Sequence, residues 1–276
     1  MNRLILRGTL AVVLAAVGLM AQPKPKSHEE YEALKAMFDA TTLDARIAAA
    51  ENVLTKFADT EFKPVALYFE AASYADKGDW ERAEVFAERT LEADPKHYQA
   101  MILLAREIAQ HSKEFDLDRD EKLAKVDKYC QTALDLLKDA PKPNPNLTDE
   151  QWAVAKKDFE SQVHETLGMA AVVRKKPDVA ITEFQTALQQ AAKPDASLMV
   201  RLGTAYRDAG KYDEAIAQFD KVMAMTDINP AVRQIAQAER VRVIQKKNAG
   251  QTAPPPAAAP GTAPSTPPPP ATPPKP

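Results

Sequence analysis

Between residues 27 and 246, apolar side chains recur every three or four positions among charged ones, and no stretch sustains a strict alternation bounded by Gly-rich turns. That period fits one face of a helix rather than a pleated strand, so the region is predicted to be helical throughout. In LTDEQWAVAKKDFESQVHETLGMAAVV, the residues Trp152, Ala155, Phe159, Val163, Leu167 and Ala170 share one face. Thr148 and Gln151 open this stretch as a capping-box pair, and Ser27 and Glu30 open SHEEYEALKAMF in the same way. Asn229 before Pro230 marks another start, because proline in a first turn lacks only an N–H that has no helical partner there. The helices fall into pairs at about 27–60, 64–97, 98–142, 161–194 and 196–230, and a last helix over 230–247 is predicted to cover the open end of the stack.

The pairs are copies of one another. Leu167, Gly168, Ala180 and Phe184 stand 35 positions before Leu202, Gly203, Ala215 and Phe219. LYFEAASYADKGDWERAEVFAERTLEADP supplies Tyr74, Gly78, Trp80, Ala83 and Pro95 at matching intervals: Tyr74 precedes Ala83 as Tyr206 precedes Ala215, and Gly78 precedes Ala83 as Gly210 precedes Ala215. Antiparallel helices cross closely only where side chains are small. Gly203, Gly168 and Ala71 supply such a place on the first helix of a pair, and Ala215, Ala180 and Ala83 on the second. Tyr206 and Phe219 fill the space beside the crossing. Gly78 and Gly210, followed by Trp80 and Tyr212, end the first helix in a left-handed turn. Unit 161–194 has Lys175 and Pro177 at that place instead.

With its period near 34, this pattern resembles the tetratricopeptide repeat. The resemblance is strong in units 64–97, 161–194 and 196–230, the last closing at Pro230, and weak in 27–60 and 98–142. It implies an all-α fold, a right-handed α-solenoid of helix-turn-helix repeats spanning 27–247 with a C-terminal capping helix. It also implies that the first helices line a concave groove for peptide or protein segments. Carried over place by place, the lining is Val65, Tyr68, Ala72, Ala75 and Asp76; then Gln162, Glu165, Met169, Val172 and Val173; then Ser197, Val200, Thr204, Arg207 and Asp208. Chaperone-binding members carry Lys and Asn in this groove to clamp a C-terminal carboxylate. The matching places hold Tyr68 and Ala72, Glu165 and Met169, Val200 and Thr204, so that clamp is not expected. The stretch LTKFADTEFKPVALYFEAASYADKGDW is also similar to repeats of bacterial envelope proteins of the periplasmic coordinator and outer-membrane assembly kinds.

The ends of the chain add a compartment. Arg3 and Arg7 precede an uncharged run, residues 8–21, which is shorter than the roughly 20 residues of a spanning helix. Residues 1–21 therefore read as a secretory signal peptide followed by a short linker, 22–26, and the protein is expected to be exported to the periplasm or cell envelope. The alternative is an uncleaved anchor, the one membrane attachment the sequence allows. From residue 248 the chain is rich in Pro, Ala and Thr, with Lys275 as its only charge, which predicts a disordered tail of polyproline character. Cys130 is the only cysteine, so no internal disulfide is possible, and it reads as a small buried hydrophobe.

Candidate chemistry is sparse. The formal net charge is −3 with no basic stripe, which argues against nucleic acid as a partner. The glycines of 27–246 are Gly78, Gly168, Gly203 and Gly210, all at repeat positions, so no phosphate-cradling loop is available. His28, His97, His111 and His164 are scattered without a zinc-helix spacing. No cofactor and no catalytic site are expected; the partners are other proteins or peptides. One alternative is a calcium- or ligand-binding loop over 116–127, where Asp116, Asp118 and Asp120 alternate and Asp127 follows. Glu121 stands where such a loop needs glycine, and the competing reading makes Asp120 the cap of the helix beginning EKLAKVDKYC.

Overall fold

The computed structural model describes residues 23–143, 146–193 and 195–252, with backbone only at 250–252. Residues 1–21, expected to be a signal peptide, and the expected tail from residue 253 lie outside the described residues. Among the described residues there are eleven helices and no strand. The first hairpin is α1 (His28–Asp39) with α2 (Leu43–Lys56), and the second is α3 (Lys63–Lys77) with α4 (Trp80–Ala93). The third is α5 (Tyr98–His111) with α6 (Arg119–Lys138), and the fourth is α7 (Asp149–Val173) with α8 (Pro177–Gln190). The fifth is α9 (Ala196–Asp208) with α10 (Tyr212–Ala224), and α11 (Pro230–Thr252) follows. Each helix packs on the next in the chain. First helices also meet first helices, α3 with α5, α5 with α7 and α9 with α11. This is solenoid packing, in which a hairpin touches chiefly its neighbours.

The helix boundaries follow local chemistry, with three departures from expectation. At Thr148 both capping-box bonds form: Thr148 Oγ1 accepts from Gln151 N–H, and Gln151 Oε1 accepts from Thr148 N–H at 2.9 Å. At Ser27 only half the box forms. Ser27 Oγ accepts from Glu30 N–H at 3.1 Å, but the buried Glu30 carboxylate accepts instead from Lys26 N–H and from the Thr60 hydroxyl. That arrangement ties the start of α1 to the loop before α3. Helix α6 begins at Arg119 with Asp118, not Asp120, in the cap position, and Asp118 makes no side-chain cap bond. Asp120 lies inside the first turn and pairs with Arg119 at 2.9 Å. Helix α11 continues to Thr252, five residues into the stretch read as tail, before the prolines begin.

Inside the hairpins the small residues make room for rings. A Cβ at Gly203 would stand 2.7 Å from Cε1 of Phe219, and one at Gly168 would overlap the ring of Phe184. Both phenylalanines are essentially inaccessible to solvent, as are Ala180 and Ala215. Gly78 and Gly210 end their helices with φ of 80° and 75°. Lys175 does the same between α7 and α8 with φ of 57°, the one non-glycine residue at positive φ among those described. Aromatic contacts hold adjacent parts together: Trp80 stacks on His111 of α5 at 4.8 Å, and Tyr74 stacks on Phe86 at 5.4 Å with the Arg82 guanidinium over the Tyr74 ring. A continuous apolar core runs from α5 to α9, and α11 seals its far end by placing Ala236 and Val243 against Ala215, Phe219 and Val222.

Candidate functional site

The first helices bring four functional groups into one row. Tyr68 lies on α3, Arg106 on α5, Glu165 on α7 and Arg201 on α9. Arg201 Nε donates to Glu165 Oε1 at 3.1 Å, joining two successive first helices. Helix α5, which carries Arg106, lies between α3 and α7, and the Arg106 charge favours the ionised forms of both Tyr68 and Glu165. Arg106 is itself held by Glu107 Oε1 at 3.0 Å. The Tyr68 ring lies 4.9 Å from His97, and the Tyr98 ring meets Phe159 edge-on at 5.3 Å.

Partial burial sets the electrostatics of this row. Desolvation pushes the Glu165 carboxyl up, against the stabilising pull of Arg201 and, more weakly, of Arg106. Desolvation likewise raises the Tyr68 phenol, opposed by Arg106, and lowers His97. A half-buried carboxylate paired with one guanidinium, on first helices next to those of Arg106 and Tyr68, presents both charges along the same stack. Such a surface can take an extended segment through both backbone polar groups and apolar side chains.

The carried-over lining divides in two. Tyr68 and Glu165 belong to the row, Ala72 and Val65 are half-buried beside it, and Asp76 and Val172 are exposed farther along their helices. Met169 is 5% exposed and belongs to the core, so it does not line an open groove. Val200 packs into the apolar cluster under α11, and Arg207 is bound by Asp208 at 2.8 Å and by Glu239 of α11. The capping helix thus occupies much of the last unit's expected share of the groove, leaving half-buried Thr204 beside it. Arg106 and Arg201 were missed. Unit 98–142 has no glycine to set its register, yet Ala105 is fully buried like Ala71, Gly168 and Gly203, which places Arg106 level with Ala72, Met169 and Thr204. Arg201 is one position beyond Val200 and is aimed at α7 by its ion pair.

The remaining candidates have structural duties. Asp116 accepts from Lys113 N–H and pairs with Lys122, which also binds Asp118 at 3.0 Å, while Asp127 takes both arms of Arg174. Among the described residues, no three such ligands converge to hold a metal ion. Cys130 is fully buried, and burial pushes its thiol up to about 12. His164 Nδ1 lies 2.7 Å from Glu183 across the fourth hairpin. An open depression of about 410 Å³ between α8, α9 and α10, with Tyr206 in its wall, shares no residue with the row. No described helix is long and apolar enough to cross a membrane.

Residues 165–228, from the middle of α7 through α10, match the family model of the tetratricopeptide repeat. No curated protein matches the chain. Among solved structures, a thermophilic TPR protein of Thermus thermophilus is 19% identical, with 74% of this chain and 91% of that one covered at a TM-score of 0.46. A MamA RS-1 ArsTM double mutant is 15% identical, covering 77% of this chain and 97% of that one at a TM-score of 0.45. An assembly chaperone of RpL4 is 12% identical, covering 83% and 99% at a TM-score of 0.43. The stretch from within α7 to just past α10 therefore matches tetratricopeptide repeats, units that generally serve as scaffolds for other proteins.

Proposed function

We propose that this protein is a non-catalytic scaffold exported to the bacterial cell envelope, where it holds a peptide or protein segment along the first helices of its repeats. The observation that carries the binding face is the Arg201–Glu165 pair, which joins two successive first helices, with Arg106 and Tyr68 on the two first helices before them. Repeat packing explains Gly168, Gly203 and Phe219, but it does not require a half-buried glutamate paired with an arginine of the next first helix. Export rests on the charged start and short apolar run of residues 1–21.

Two measurements test the reading separately. Cell fractionation with N-terminal sequencing is expected to find the mature chain in the periplasm or envelope, beginning near Gln22; recovery only in the cytoplasm with Met1 intact would refute export. Affinity capture from envelope extracts is expected to retain a partner with the wild type and lose it with Arg106→Glu combined with Arg201→Glu. Because these arginines pair with Glu107 and Glu165, the same capture with Arg106→Gln and Arg201→Gln, checked for unchanged helical circular dichroism, separates loss of the face from loss of the fold. Identical partner sets for both proteins would discard the row as the binding face.

A further inference from the structure

Helix α3 is where the core breaks up. Ala66 and Phe69 pack with Leu34, Met37, Ala50 and Val53 of the first hairpin. Tyr74 packs with Ile47 and Ala83, and Ala71 packs with Ala87, Leu103 and Leu104. These are three separate apolar clusters, in contrast to the single one running from α5 to α9. Among their α3 members stand two polar side chains, Glu70 and Ser73, exposed by only 1% and 0%. Neither oxygen of the Glu70 carboxyl has a hydrogen-bond partner, and neither does the Ser73 hydroxyl. Charge reaches Glu70 from both flanking helices: Glu51 of α2 repels its ionised form and Arg89 of α4 attracts it, while no charged group of α5 acts on it.

We propose that Glu70 makes the joint between the first and second hairpins pH-sensitive, closed while its carboxyl is protonated and loosened when it ionises. A buried carboxylate without hydrogen-bond donors is far costlier than the neutral acid, so ionisation is relieved by opening α2 away from α3 and admitting water. Burial, reinforced by Glu51 and opposed by Arg89, holds the carboxyl up at about 7. Its value once opened is near the ordinary 4.5. Between those values the closed state binds more protons, so its stability falls as pH rises through the window and levels off above it. The two limits correspond to roughly a fiftyfold rise in the opening constant from about pH 5 to about pH 7.5.

Hydrogen exchange of the full chain, corrected for the intrinsic pH dependence of amide exchange, reads this directly. The wild type is expected to lose protection in α1 and α2 by that factor between the two pH values, while α8 to α10 change little. Glu70→Gln keeps the shape and removes the titration, and is expected to show a change of less than about threefold in α1 and α2. A contribution from His28, the first hairpin's histidine, would survive in that variant and so be separated. Equal pH dependence in wild type and Glu70→Gln, or none in the wild type, overturns the proposal. If Glu70→Gln does not fold, Glu51→Gln decides the matter. Removing the like charge must move the midpoint of the protection change to lower pH, and an unmoved midpoint rejects Glu70 as the titrating group.

Discussion

Gly203 of α9 lies against the ring of Phe219 in α10, so closely that a single added carbon would stand 2.7 Å from the ring edge. Gly168 and Phe184 repeat the contact one unit earlier. The glycine in the repeat pattern is therefore a seat for an aromatic side chain. Gly203→Ala is expected to cost about 1–3 kcal/mol through overpacking, read as a lower urea midpoint with unchanged slope. Adding Phe219→Leu should recover part of that loss, because the two positions share one space. Strict additivity of the two changes would refute the contact as the cause.

Lys175 is in a conformation that suits glycine. Its φ of 57° closes α7 as Gly78 and Gly210 close α3 and α9, and its ammonium pairs with Glu114 at 2.8 Å across an exposed surface. A left-handed L-residue costs about 1–2 kcal/mol, partly offset by the greater unfolded-state freedom of glycine, and an ion pair so exposed to solvent contributes little. Lys175→Gly is expected to raise the melting temperature by a few degrees, and Gly210→Lys to lower it. A lower melting temperature for Lys175→Gly would show that the Glu114 pairing outweighs backbone strain.

Val243 of α11 is fully buried against the fifth hairpin, and the helix is fastened around it by Arg240 to Asp220, Lys247 to Asp213 and Arg207 to Glu239. Val243→Asp puts an unpaired carboxyl into that apolar contact and is expected to destabilise by about 3 kcal/mol. In a solenoid the damage stays near its origin, so hydrogen exchange should rise in α9 to α11 well before α5 to α8. Uniform loss of protection along the chain would instead mean that the array unfolds as one unit.

Much of this architecture was legible because each repeat solves the same local packing problem. Leu202, Gly203, Ala215 and Phe219 announce it by spacing alone, and Thr148 with Gln151 announces a helix start from two residues. The candidate site was legible only in part. Met169 and Val200 sit at lining positions of the pattern, yet Met169 is buried in the central core and Val200 is half-buried against the cluster that α11 completes. Arg106 was hidden in a unit without a register glycine. The half-formed capping box at Ser27 shows the same limit, since Glu30 is drawn to Thr60, 30 positions away.

By itself, the sequence determined the helices, their pairing and their period, because these depend on residues within about 34 positions of one another. Only the tertiary structure decided which first-helix side chains reach solvent, that Arg201 pairs with Glu165 across two units, and that Glu70 is enclosed without a partner. The reason is physical: exposure and charge pairing are set by how one hairpin lies on the next, and that stacking joins residues from different repeats whose identities the repeat pattern leaves open.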